Sequence, residues 1–251
     1  MCISKERREM RKIIILLLFS VFSLFSQDFI ECYYIPDPPP SIDGYLTEWY
    51  RMKGIEIKGE NVVYGKDKWK GESDLSGVIW VGWRNECLFI AVDVVDDKFV
   101  QNMTGKDLWK GDHIEIDINP EYEQGKTGIF TEKQFMIGIS PGNLQNTGDI
   151  LLDIPPEYYI WQPMMKEDVG IKVMARKTGK GWSIEASIPW KVLKVEAKEG
   201  KIISVDIRIS DTDSPDIQEK MTSLYKKSKW EGRKLERLIP LKLVEVKNER
   251  R

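Results

Sequence analysis

Along much of the chain, apolar residues alternate with polar or small ones at a period of two, as expected of strands with one buried face. The pattern runs through Val78 to Trp83, Leu88 to Val94, Ile114 to Ile118, Phe135 to Ile139, Trp182 to Ile188 and Ile203 to Ile209. Between these runs lie WRNE, NPEYEQGKTG, SPGNLQNTGD and KTGKG, whose Gly, Asn and Pro residues suit tight turns. Short strands with such punctuation predict an all-β fold, an antiparallel β-sandwich of jelly-roll or immunoglobulin-like type. One helical turn is expected at Trp190 to Leu193, because Pro189 precedes it and a proline suits a helix start. Lys220 to Arg237 is basic and weakly periodic, and reads as a long surface loop before a last strand from Leu238 to Val246.

The N-terminus departs from this pattern. A basic stretch, KERREMRK, precedes an apolar run from Ile13 to Phe25 that only Ser20 and Ser23 interrupt. That run is shorter than the ~20 residues a spanning helix needs and matches the apolar core of a signal peptide. Residues 1–27 are therefore expected to be an export signal, with Met10 as an alternative start, and an uncleaved anchor as the competing reading. Export leads to the periplasm, the cell surface or the medium. Residues 28–41 contain YYIPDPPPS and read as a proline-rich linker, because proline favours extended backbone. The sandwich is expected to occupy residues 42–247 as one domain.

Composition narrows the function. The 38 basic and 40 acidic residues nearly cancel and are interspersed, so no strong field gathers nucleic acid or an anionic membrane. Beyond the signal only Cys32 and Cys87 remain. Two unpaired thiols are expected, although export would permit a disulfide and Cys32 invites a comparison with lipid-anchored cysteines.

The chemistry concentrates in DLWKGDHIEIDI. Ile114, Ile116 and Ile118 point one way along this strand, so Glu115 and Asp117 point the other. Trp109 lies just before it, beside Asp112. A tryptophan next to carboxylates suits a sugar, whose C–H face packs on the indole while its hydroxyls need acceptors. The competing reading is a tryptophan covering the sandwich edge and acids that solubilise one sheet face. Trp80, Trp83 and Trp182 fall within strands and read as packing residues; Trp69 and Trp161 fall in expected loops with nothing to place them at a site.

The ordered motifs resemble family 9 carbohydrate-binding modules and their relatives among the DOMON-related sandwiches. They begin with IDGYLTEW at residues 42–49 and continue through WVGW with LFIAV, Asp96-Asp97, WKGDHIE, GWSIEASIPW and Asp211-Thr212-Asp213. The resemblance covers residues 42–246. It implies a non-catalytic module that holds a sugar between two tryptophans, Trp109 and Trp230, with Glu115 accepting from the sugar hydroxyls. It also implies that the strand after the QF motif carries an arginine and an asparagine, where this chain has Met136 and Gly138. Finally, it implies structural calcium, for which Asp96, Asp97, Asp211 and Asp213 are the candidates, since calcium takes several oxygen ligands; the competing reading makes these ordinary turn residues. An oligo- or polysaccharide is the expected partner, with a separate glycoside hydrolase as a second.

Three other functions compete. An envelope interaction domain whose sugar site has decayed is suggested by Met136 and Gly138. A b-type haem subunit would draw axial ligands from Met103, Met136 or His113. A glycosidase needs two carboxylates across the scissile bond, and neighbouring acids on one strand do not supply that separation. Neither GxSxG nor HExxH occurs.

Overall fold

The computed structural model describes residues 29–146, 148, 151–165, 167–226 and 231–245. The expected signal segment and Trp230 lie outside the described residues. Among those described, thirteen strands form one hydrogen-bonded sheet, ten of them in a continuous path folded into two halves and three short ones branching from it. One half runs β8 (Glu157–Gln162), β7 (Phe135–Ser140), β6 (His113–Asn119), β11 (Ile202–Asp211) and β13 (Ile239–Val244). The other runs β4 (Leu75–Trp83), β5 (Cys87–Asp96), β10 (Gly181–Pro189) and β9 (Lys172–Lys177). Within each half, neighbours are antiparallel, as the alternation predicted.

The inward residues of both halves meet in a single core. Ile114, Ile116 and Ile118 from β6 and Ile207 and Ile209 from β11 pack with Ile79, Val92 and Ile184 from the opposite half. Each is almost fully buried, and burying a side chain of this kind contributes roughly 1.5–3 kcal/mol. Trp83 and Trp182 join this core, and Trp80 packs with Trp49 in a smaller cluster. The helical turn Trp190–Leu193 forms as expected.

The IDGYLTEW motif also has a physical reason. Glu185 in β10 accepts the Trp49 indole N–H at 2.7 Å, the Gly44 N–H at 2.7 Å and the Asp43 N–H at 3.1 Å. One carboxylate thus staples the opening motif to GWSIEASIPW, far away in sequence. Gly44 has φ +82°, and a Cβ there would lie 2.8 Å from Arg176 Cγ; both the turn and the close approach require glycine.

Three expectations are corrected. Residues within the expected linker form β1 (Ile30–Tyr34), which lies parallel to both β13 and β4 and joins the two halves. The strand ends where the prolines begin, because proline cannot donate to a ladder. Its Cys32 is fully buried opposite Leu243, which leaves no exposed thiol for a lipid; Cys32 and Cys87 are both unpaired. The expected loop from Lys220 starts with β12 (Lys220–Thr222), which bridges β11 to β3 (Val62–Tyr64), and all three of its residues are buried. The last strand is Ile239–Val244, shorter than expected. The short β2 (Ile55–Ile57) extends β4.

Candidate functional site

The face of β6 opposite the core builds the site. Cross-strand register places Glu115 between Gly138 of β7 and Arg208 of β11, and Asp117 between Met136 and Asp206. Tyr159 of β8 pairs with Gly138 and so continues the first row. The strand pattern thus placed the acids correctly on the far face, but they are not at the surface. Glu115 is 4% exposed and Asp117 2%, because the side chains of neighbouring segments cover this face.

Arg208 is what permits this burial. Its guanidinium contacts Asp117 Oδ2 at 2.7 Å and Asp206 Oδ2 at 3.1 Å, and also pairs with Glu115. Ser223 donates to Asp206 at 2.8 Å. The His113 ring lies below, with Nδ1 2.7 Å from the Gly111 carbonyl and Nε2 3.9 Å from Glu115. A carbonyl only accepts, so Nδ1 carries the proton. Burial by itself would raise Glu115, but Arg208 and His113 hold its carboxyl below the ordinary value. For Asp117 burial prevails over Arg208 and pushes the group up to about 7. The same surroundings raise Arg208, which therefore stays charged.

Above this floor opens a cavity of about 500 Å³, lined by Trp109, Glu115, Met136, Tyr159, Trp161, Met164 and Met221 together with Lys106, Asp107, Gln218 and Arg233. Trp109 sits on a 3₁₀ turn, Gly105–Lys110, anchored by the fully buried Leu108. The Gln101 amide donates to the Leu108 and Asp112 carbonyls at 3.0 and 2.9 Å, and Gly105 N–H donates to Glu157 of β8 at 2.7 Å. The turn is thereby fixed to its own strand and to β8, while the Trp109 ring remains 40% exposed.

Trp161 is the residue the sequence reading did not place. It lies in β8 rather than a loop, its indole N–H donates to the Lys106 carbonyl at 2.9 Å, and its ring covers Gly138. A Cβ on Gly138 would lie 2.2 Å from Trp161 Cη2 and 2.8 Å from Leu108 Cδ1. The missing side chain at Gly138 is therefore the space the indole fills. Of the expected site residues, Trp109 and Glu115 are brought together here. Met103, one of the haem candidates, lies outside the cavity lining, and His113 is fully buried beneath it.

Two of the aspartates proposed for calcium, Asp211 and Asp213, meet a different cation. The Lys220 ammonium, fully buried, lies 2.5 Å from Asp74, 2.8 Å from Asp211 and 3.3 Å from Asp213. Asp74, Asp97 and Asp213 do bring carboxylate oxygens within 4.8 Å of one another. However, two of these three already face Lys220, and Asp213 is also 3.3 Å from Lys70. Asp96 is spent elsewhere, accepting from Lys98 N–H at 2.7 Å and the Trp182 indole at 3.2 Å. Burial pushes Asp211 up to about 7 against the pull of Lys220, and Lys220 is raised because Asp211 and Asp74 outweigh its own burial. Of the four calcium candidates, Asp211 and Asp213 thus share the Lys220 ammonium and Asp96 is committed to hydrogen bonds, an arrangement that argues against a resident divalent ion.

The geometry can now be set beside known proteins. A family model described as carbohydrate family 9 binding domain-like matches residues 42–232. The chain belongs to that family. Its family 9 fold is also that of a family 9 module from Caldicellulosiruptor kristjanssonii in complex with cellotriose, with a TM-score of 0.66 and 12% identity over 88% of this chain and 96% of that one. The same kind of module from that organism in complex with glucose gives 0.63 and 12%, over 89% and 99%. A putative carbohydrate-binding protein from Bacteroides uniformis gives 0.58 and 10%, over 87% and 100%. At such identities the likeness is one of fold. No curated protein matches the chain.

Proposed function

We propose that this family 9 domain is an exported, non-catalytic carbohydrate-binding module that holds a sugar in the cavity over β6. The observation that carries the reading is the pairing of two tryptophans, Trp109 and Trp161, around a cavity into which Glu115 presents a carboxylate. Aromatic faces take the C–H side of a pyranose, and an oriented acceptor fixes its hydroxyls. Glu115 is held ionised by Arg208 and His113, so it is an acceptor over the whole neutral range. The sugars in the C. kristjanssonii complexes support the same class of ligand. Among the described residues no helix is long and apolar enough to cross a membrane.

The rival reading of a decayed site rests on Met136 and Gly138. Trp161 occupies the space over Gly138, which favours a rebuilt site over a lost one. Affinity electrophoresis through gels containing soluble glucans, xylans and mannans tests the proposal: the wild type should be retarded by at least one of them and Trp109→Ala should not. Equal mobility of both proteins in every gel would refute it.

A further inference from the structure

We infer that the cavity selects a sugar carrying a methyl-bearing substituent, either a 6-deoxy or an acetylated pyranose, and that Trp161 seated on Gly138 is the residue that sets this preference. The inference rests on the binding proposal above and names the ligand class for the same cavity.

Three features point to it. First, the side chains around the cavity that are not already engaged are mostly apolar. Met136, Met164 and Met221 contribute thioethers beside the rings of Trp109, Tyr159 and Trp161. Methionine is flexible and polarisable and adapts to small irregular apolar groups. Second, three of the polar groups are committed within the protein, and the other two, Lys106 and Asp107, belong to the exposed 3₁₀ turn that carries Trp109. Glu115 is paired with Arg208, the Gln218 amide donates to Ser210 Oγ at 2.8 Å, and Arg233 donates to Gln162 at 3.2 Å. Third, β7 presents Met136 to the cavity and, at Gly138, a bare backbone covered by indole. A hydroxyl directed at Met136 or at the Trp161 edge loses its water and finds no partner, whereas a methyl group there gains apolar contact. The single-acceptor arrangement around Glu115 still orients the ring.

Matched pairs test this on the whole domain by titration calorimetry: methyl glycosides of D-glucose against 6-deoxy-D-glucose, D-galactose against D-fucose, and glucosamine against N-acetylglucosamine. The first two pairs isolate the deoxy source of the methyl group and the third the acetyl source. In at least one pair the methyl-bearing sugar should bind ~10- to 100-fold tighter, the range an apolar pocket achieves against an added hydroxyl. In Trp161→Ala that ratio should fall towards one, and Gly138→Ala, which drives a Cβ into the indole, should lower it as well. Wild-type binding with no preference, or with preference for the hydroxylated partner in every pair, overturns the inference while leaving the proposed function in place. A wild type that binds no sugar overturns the proposed function and this inference together. If a variant fails to fold, as judged by its thermal transition, the wild-type ratios alone decide.

Discussion

Replacing Lys220 with methionine probes how this domain holds together a buried group of acids. Lys220 is fully buried, and so are Asp74 and Asp211, 1% and 2% exposed. The substitution keeps most of the side-chain volume but removes the ammonium that pairs with both carboxylates, at 2.5 and 2.8 Å. Breaking a buried ion pair from one side typically costs about 3–5 kcal/mol, because the remaining charge is left uncompensated. A domain of this size loses roughly 2–4 °C of Tm per kcal/mol, so the transition should fall by roughly 6–20 °C. Thermal unfolding followed by circular dichroism would measure this, with millimolar calcium and with chelator. The wild type should melt identically in both, since its acids already have their cation. The variant should recover part of its loss in calcium, because the vacated acids then favour a divalent ion that binds only the folded state. A wild type that loses several degrees in chelator, or a variant as stable as the wild type, would refute the assignment of Lys220 as the resident cation.

Further outcomes follow from the same physical picture. Asp117 and Asp211 sit at about 7 when folded against about 4 in an unfolded chain. Between those values the folded protein binds more protons, so stability falls as pH rises through the window; Tm should be higher at pH 5.5 than at pH 8, and a flat profile would contradict the burial of these acids. Arg208→Met should destabilise by about 3–5 kcal/mol in chemical denaturation, since it strands Glu115, Asp117 and Asp206, and Arg208→Lys should rescue little because a single ammonium cannot reproduce the planar fork. Trp109→Ala should weaken sugar binding by about 2 kcal/mol, roughly 30-fold, with Tm unchanged because the ring is 40% exposed; unaltered calorimetric affinity would move the site elsewhere. Glu185→Gln should lower Tm measurably, as a neutral amide oxygen replaces the carboxylate that Trp49, Gly44 and Asp43 share.

Period-two alternation by itself determined six of the thirteen described strands, the inward isoleucines of β6 and β11, and the side of β6 on which Glu115 and Asp117 lie, because strand geometry makes facing a local property. The helical turn after Pro189 was local in the same sense. Tertiary structure decided what those acids do. Arg208 lies 93 residues from Glu115, and only the antiparallel register of β11 on β6 sets them side by side, turning an expected solvated acid row into a buried ion network. Lys220 reaches Asp74 across 146 residues through the pairing of β12 between β11 and β3, which no spacing in the chain encodes. β1 was hidden because five residues beside a proline run carry little pattern, and their two parallel partners lie at distant points of the sequence. Trp161 stood in an aromatic stretch without alternation, EYYIWQ, and Gly138 read only as an absent polar group. Packing made the two complementary: the backbone left bare at one strand is the seat of the indole from the next.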